Sequence, residues 1–354
     1  MLTPVVDSIS KSPITRYYGS KKKLLPWLYE NLRPLKFSTV LDAFGGTASV
    51  SYLLRSMRKK VSYNDAFCFN SDVARVVLSD DLSLTRQQII DFVESVNPCE
   101  GMVSSHYNGV FFLQEENCWI DGCIKDVMRG AFSTKQQSLI RYLLYQSCLK
   151  KRPFNLFHRA NLKLRTNKGI TRSFGNAVTW ERSFKYHMVR SFDELSKREP
   201  LTAPAARILP ATNASDLPTG FDLVYLDPPY VSEEKKSFHD NYWRKYHFLE
   251  GLARYTEWPD LIDLSSPIKL PNAPNVFGTW SNPDQFKDNL FSLVKKHQNS
   301  IVCLSYLRGT VPSEEQLKDL FESTFPKVSI HSLDHTHALS KKEKRELLFV
   351  GIPL

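Results

Sequence analysis

Several things are missing from this 354-residue sequence, and each absence removes a class of protein. No apolar run approaches the roughly 18 residues that a membrane-crossing helix needs, so no transmembrane helix is expected. The opening stretch, Met1 to Pro13, has no basic start followed by an apolar core. That argues against a secretory leader and for a cytoplasmic protein. Cysteine is sparse, and Cys68, Cys99, Cys118, Cys123, Cys148 and Cys303 form no framework. Free thiols in a reducing compartment are the reading this supports. Cys118 and Cys123 with His106 match no standard zinc spacing, and no metal is expected. Internal repeats and low-complexity segments are absent too, which excludes a solenoid.

Negative charge is also in short supply. Lys and Arg number 47 against 37 Asp and Glu, a formal charge of +10. Such a balance suits a polyanionic partner, and its distribution sharpens the point. Between Lys150 and Glu199 thirteen basic residues stand against four acidic ones, so one window carries nearly all of the surplus. Within it, Lys150, Lys151, Arg159, Asn161, Arg165, Arg172 and Ser173 are interleaved with Phe154, Phe157 and Phe174. Basic side chains can neutralise phosphates while amides and arginines reach base edges, so these residues are candidate contacts to a nucleic acid. A solvated basic hairpin is the alternative.

What is present is organised around Phe221 to Tyr230. Leu223 to Leu226 is a short apolar, β-favouring run that reads as a buried parallel strand. It stops at Asp227-Pro228-Pro229-Tyr230, where two prolines remove backbone donors and hold the chain extended. A stiff loop at the carboxyl end of a strand then presents carbonyls, a carboxylate and an aromatic ring. Open α/β sheets bind ligands at such ends. These groups suit an exocyclic amine on a planar ring: the ring stacks on Tyr230 while the amine donates to Asp227 and the Pro228 carbonyl.

A second nucleus lies upstream. Val40 to Val50 reads as strand, glycine turn (Gly45, Gly46) and helix start, with Thr47 or Ser49 as N-cap. Lys60 to Asp65 then reads as a second strand ending in an acid, placed to accept hydrogen bonds from ribose hydroxyls. The turn is neither a dinucleotide G-x-G-x-x-G nor a P-loop, yet the order implies an adenosine-type cofactor. Residues 70–150 read as a mainly helical insertion whose Tyr107, Phe111, Phe112 and Trp119 form a small core. Phe238 to Phe248 reads as a loop closing over substrate. Ser300 to Tyr306 reads as a further strand, and 327–333 with 346–352 as a closing antiparallel pair.

Four motifs in this order carry a resemblance. Tyr17-Tyr18-Gly19-Ser20-Lys21, Asp42-Ala43-Phe44-Gly45-Gly46-Thr47, Tyr63-Asn64-Asp65 and Asp227-Pro228-Pro229-Tyr230 resemble those of the D12 class of adenine-specific DNA methyltransferases. The resemblance implies an α/β fold with a doubly wound, Rossmann-like sheet, formed by residues 1–69 and 200–354. Residues 70–199 would be an inserted, mainly helical target-recognition lobe. It implies S-adenosylmethionine contacted by Tyr17, Lys21, Asp42 and Asp65, and cradled by Phe44, Gly45 and Gly46. Asn213, ahead of Asp216, would meet the cofactor's adenine, and Asp227 would lie between cofactor and base. The substrate would be adenine N6 in double-stranded DNA, with Asp227, Pro228, Pro229 and Tyr230 as the catalytic set. A monomer is expected, and the family leaves room for a cognate restriction endonuclease as partner. Cytosine N4 methylation and an inactive DNA-binding module on the same fold are the alternatives.

Overall fold

The computed structural model describes residues 4–10, 12, 20–152, 156–167, 169, 177–198, 200–201, 203–234, 237–238, 241–336 and 343–354. Its strands in chain order are β1 (Thr39–Asp42), β2 (Lys60–Tyr63), β3 (Arg207–Ile208), β4 (Leu223–Leu226) and β5 (Val231–Ser232). They continue as β6 (Ser237–Phe238), β7 (Ile301–Leu307), β8 (Thr310–Val311), β9 (Lys327–Thr336) and β10 (Glu343–Ile352). Seven of them form one sheet in the order β3-β2-β1-β4-β7-β10-β9, and β6-β5-β8 make a small second sheet. The pairs from β3 through β7 are parallel, whereas β10 runs antiparallel between β7 and β9.

Alternation along the strands explains why helices cover both faces. Leu41, Val224, Leu226, Val302 and Leu304 point to one side and pack with Leu290, Leu293, Leu317 and Phe321. These belong to the helices Phe286–Lys296 and Glu314–Thr324. Val40, Leu223, Tyr225, Cys303, Leu348 and Val350 point to the other side. There they meet Leu25, Leu28 and Leu32 of the helix Leu25–Leu32, and Val50, Leu53 and Leu54 of the helix Ser49–Ser56. Period-two side chains buried on both faces are what parallel central strands require. The sheet is doubly wound.

From β1 the chain moves outward to β2, and β4 then adds on the other side of β1. The reversal of strand order falls between β1 and β4, and their carboxyl ends border the crevice where ligands bind in such sheets.

A third cluster gathers the inserted helices. Arg86–Ser95, Gln114–Arg129, Thr134–Lys150 and Phe184–Leu195 bury Ile89, Val93, Ile120, Ile124, Leu143 and Met188 together. Thr85 with Gln88 and Ser133 with Gln136 form capping boxes that start two of these helices. Tyr107, Phe111, Phe112 and Trp119 lie in this core, as expected of large aromatic side chains. Two expectations fail. The segment expected to be a loop over substrate contains the helix Tyr242–Ala253, and its Tyr246, Phe248, Leu249 and Leu252 join the inserted core. Packing therefore continues past residue 199 to Trp258 and Ile268. Neither Thr47 nor Ser49 caps the helix Ser49–Ser56; Ala48 does so in a left-handed conformation, with φ of 62°.

Candidate active site

β4 delivers Asp227 to the crevice, and the two prolines turn Tyr230 back toward it. The Tyr230 hydroxyl lies 2.8 Å from Asp227 Oδ1 and 3.1 Å from Glu346 Oε1. Lys21 Nζ stands 3.1 Å from Asp227 Oδ1, donates to the Tyr230 hydroxyl at 2.6 Å, and pairs with Glu346 Oε1. Ser305 Oγ donates to the same Glu346 oxygen at 2.8 Å. One ammonium thus serves two carboxylates and a phenol. Among the described residues, nothing donates to Asp227 Oδ2.

Three distant segments supply this network. Lys21 opens a short 3-10 turn, Lys21–Leu24, whose first amide region is capped by Ser20. The following helix is anchored by its buried leucines, and Ser20 Oγ also meets Ser49 Oγ at 3.0 Å. Ser305 comes from β7 and Glu346 from β10, diagonal neighbours across an antiparallel pair. The Tyr306 ring packs edge-on against Tyr230, with centroids 5.5 Å apart.

Burial pushes the Asp227 carboxyl above the ordinary aspartate range, and the Glu346 charge adds to this against the pull of Lys21 and Tyr230. Burial would by itself depress the Lys21 ammonium, but Asp227 and Glu346 outweigh it and hold its pKa raised. The charged pair persists because each partner offsets the desolvation of the other.

At the end of β1, Asp42 is almost fully enclosed. Its Oδ2 accepts from Ser51 Oγ at 2.6 Å, while its Oδ1 is buried without a partner. Burial lifts this carboxyl to about 7 despite the Ser51 hydrogen bond, and the charges of Asp227 and Asp65 add to it. Among the described residues that oxygen has no donor, and a buried carboxylate oxygen in that position is costly.

The glycine turn follows directly. A Cβ on Gly45 would fall within the Tyr63 ring, so the turn and β2 can approach this closely only with glycine there. Gly46 has φ of 51°, and open space lies where its Cβ would be. Asp65, just beyond β2, accepts from the Gly46 amide at 2.9 Å, from the Phe67 amide at 2.8 Å and from Asn70 Nδ2 at 3.1 Å. It therefore shapes the turn. Asn64, fully buried, donates to the Ala43 and Thr212 carbonyls at 3.0 Å each. This staples the end of β1 to the loop that carries Asn213.

Phe44 packs edge-on against Trp280, with centroids 5.0 Å apart. Asn213 Oδ1 caps the Ser215 amide at 2.9 Å, and its Nδ2 leaves no room for a side chain at Gly278. Asp216 is exposed. Asp42, Phe44, Gly45, Gly46, Asp65, Asn213, Asp227, Pro228, Pro229, Tyr230 and Lys21 are thus held by one end of the sheet and its loops. Tyr17 lies outside the described residues, as do Arg172 and Ser173.

The basic window is corrected by the structure. Lys150 is buried, donating to Ser191 Oγ and pairing with Glu194, both at 2.9 Å. Lys151 is 1% exposed; it pairs with Glu116 at 2.8 Å and donates to the Trp180 and Arg182 carbonyls. Arg165 grips both oxygens of the same Glu116, at 2.7 and 2.8 Å. These three cations are engaged by carboxylates, a hydroxyl and carbonyls within the lobe. Asn161 has its Oδ1 buried without a partner, whereas Arg159 is exposed. Arg159 does not stand by itself. His158 is driven below the ordinary histidine range by burial and by the charges of Arg159, Lys245, Arg152 and Arg244. Its neighbours Arg244 and Lys245 come from the helix after β6, and the Phe157 amide donates to the Lys245 carbonyl at 3.0 Å.

Sequence reasoning misses two of these features. Glu346 reads only as the start of a strand; a lone carboxylate heading the apolar run 347–350 is the available signal. Arg244 and Lys245 are hidden in a polar aromatic run. Among the described residues no group of His, Cys, Asp and Glu could hold a metal ion, and no helix is long and apolar enough to cross a membrane.

Comparison with known proteins agrees with this geometry. The model of the D12 class N6 adenine-specific DNA methyltransferases matches residues 17–255. The chain is also 23% identical over 356 aligned positions to the type II methyltransferase M2.HphI of Haemophilus parahaemolyticus, covering 96% of this chain and 98% of the relative. The sheet order, the Asp-Pro-Pro-Tyr loop at its switch point and the family match agree: this chain belongs to the D12 class of N6 adenine-specific DNA methyltransferases.

Proposed function

We propose that the chain methylates N6 of an adenine rotated out of double-stranded DNA, using S-adenosylmethionine as donor, as the modification partner of a restriction system. The observation that carries the cofactor reading is the unmatched Asp42 Oδ1 at the carboxyl end of β1. Asp42, Asp65 and Asp227 end or follow three adjacent parallel strands, so this crevice favours a cationic ligand. The open space beside Gly46 suits close approach of that ligand to the backbone. When bound, S-adenosylmethionine supplies an electrophilic methyl group on a sulfonium that departs as a neutral thioether.

The chain's own residues do the rest. An adenine amine is a weak nucleophile because its lone pair is delocalised into the ring. Asp227 Oδ2 and the Pro228 carbonyl accept its two N–H bonds, favour a more tetrahedral nitrogen and aim it at the methyl group. As the C–N bond forms and the C–S bond breaks, the nitrogen loses one proton, and Asp227 Oδ2 is the nearest base. Burial raises the proton affinity of that carboxylate, which suits the role. Tyr230, fixed through its hydroxyl, offers its ring to the base. Extrusion of the adenine costs a few kcal/mol, recovered from stacking and from backbone contacts. Arg159, Arg244 and Lys245 around His158 are the surface assigned to the phosphates; Asn161, Arg172 and Ser173 are kept as candidate DNA contacts on the sequence alone. The restriction-modification role rests on the likeness to a type II methyltransferase.

The test is transfer of a tritiated methyl group to mixed-sequence duplex DNA, followed by digestion to nucleosides. N6-methyladenine is expected. Asp227→Ala should abolish transfer while DNA binding persists; near wild-type transfer by this variant would remove Asp227 from the reaction.

A further inference from the structure

Glu346 is the least economical residue in the site. It is 3% exposed, four residues into β10, and the next four residues are apolar and buried. A carboxylate there shares Lys21 with Asp227. Burying two negative charges around that ammonium is costly, and an apolar side chain would pack there at lower cost. The residue calls for a reason beyond packing.

We propose that Glu346 is a positioning residue for methyl transfer, holding Lys21 and Tyr230 so that only one Asp227 oxygen is engaged and the other faces the amine. This rests on the reading of Asp227 as the acceptor of the N6 protons. The geometry is specific. Glu346 Oε1 meets Lys21 Nζ, the Tyr230 hydroxyl and Ser305 Oγ, so all three converge on one atom. Ser305 fixes the carboxylate from the neighbouring strand. The ammonium is thereby held between Glu346 Oε1 and Asp227 Oδ1. Without Glu346 the lysine would be free to swing across both Asp227 oxygens, as an isolated buried pair favours, and would compete with the substrate amine for Oδ2.

A second consequence concerns protons. The groups facing Asp227 are Lys21 and Tyr230, then Glu346, with Asp42 and Tyr225 behind them. Among the described residues, Lys21, Tyr230, Ser305 and Tyr225 face Glu346. Of the groups acting on Asp227, Glu346 raises its proton affinity whereas Lys21 and Tyr230 lower it. Removing the Glu346 charge therefore makes Asp227 a weaker base and shifts its ionisation to lower pH.

The experiment measures single-turnover methyl transfer against pH for wild type, Glu346→Gln, Glu346→Asp and Asp227→Asn, with cofactor and DNA affinities alongside. Glu346→Gln should lower the plateau rate by up to about 100-fold, the scale of a lost orientation. Its acid limb should move to lower pH while both affinities stay unchanged. In ligand-free protein labelled with 13C at aspartate carboxyls, the Asp227 signal should titrate lower in the same variant. Glu346→Asp keeps the charge but withdraws it, so its rate should fall without movement of the acid limb. If Glu346→Gln does not fold, Glu346→Asp decides by itself: a wild-type rate overturns the proposal. A Glu346→Gln enzyme with unmoved acid limb and carboxyl titration overturns it as well, leaving Glu346 a purely structural residue. An inactive Asp227→Asn beside a wild-type-like Glu346→Gln rejects this proposal alone. An active Asp227→Asn rejects the underlying reading of Asp227.

Discussion

Replacing Lys21 with methionine separates the electrostatic reading of the crevice from a packing one. The substitution keeps the length of the side chain and removes its charge. At 3.1 Å the attraction between Lys21 and Asp227 is roughly 5 kcal/mol at an effective dielectric constant of about 20. Part of this is returned, because the ammonium no longer has to be desolvated. Breaking a buried pair in this way costs about 3–5 kcal/mol. The loss should depend on pH. Without Lys21, the pull that most lowers Asp227 is gone, and its carboxyl rises further above the unfolded value. A carboxyl whose folded pKa exceeds its unfolded value binds protons more tightly in the native state. Stability is then greatest below the unfolded pKa, about 3.9, and declines as pH rises through the folded one. Wild type declines less in this window, because Lys21 holds the Asp227 carboxyl lower and the raised Lys21 keeps its own contribution until pH passes the lysine range. Urea unfolding at pH 5 and pH 8 should therefore show a larger deficit of the variant at pH 8. Equal deficits at both values, or a deficit below about 1 kcal/mol, would refute a charged cluster in this position.

Two further predictions concern the turn and the surface. Gly45→Ala should destabilise the protein by about 1–3 kcal/mol, because its methyl must displace the Tyr63 ring. Calorimetry should show weaker S-adenosylmethionine binding as the turn shifts; unchanged affinity would detach the turn from the cofactor. Arg159→Ala with Arg244→Ala should flatten the log–log salt dependence of DNA binding by about 0.9 for each phosphate left without its cation. Lys151→Ala should leave that slope alone and lower the melting temperature instead, since its amine is spent on Glu116 and two carbonyls. A slope that responds to Lys151 would restore it to the DNA surface.

The amino-acid sequence alone determined whatever depends on neighbours along the chain. Two prolines after an apolar strand make a stiff loop wherever they occur, so Asp227 and Tyr230 could be placed at a strand end without coordinates. Gly45 and Gly46 mark a close-approach turn by the same local logic, and short apolar, β-favouring runs announced the central strands of the sheet. The helical insertion was legible from its spacing. What failed was direction. Thirteen basic residues in one window say nothing about which way each points, and Lys150, Lys151 and Arg165 turned inward because Glu116 and Glu194 were there to meet them. Tyr242 to Phe248 resembles a loop because its polar and aromatic residues follow no clean period, yet the inserted core supplies a pocket for each buried ring. Glu346 is the clearest case. It lies 325 positions from Lys21, and no local pattern links them. Only the insertion of β10 between β7 and β9 brings that carboxylate to the ammonium, because the energy of a buried charge is set by what packs around it and not by its place in the chain.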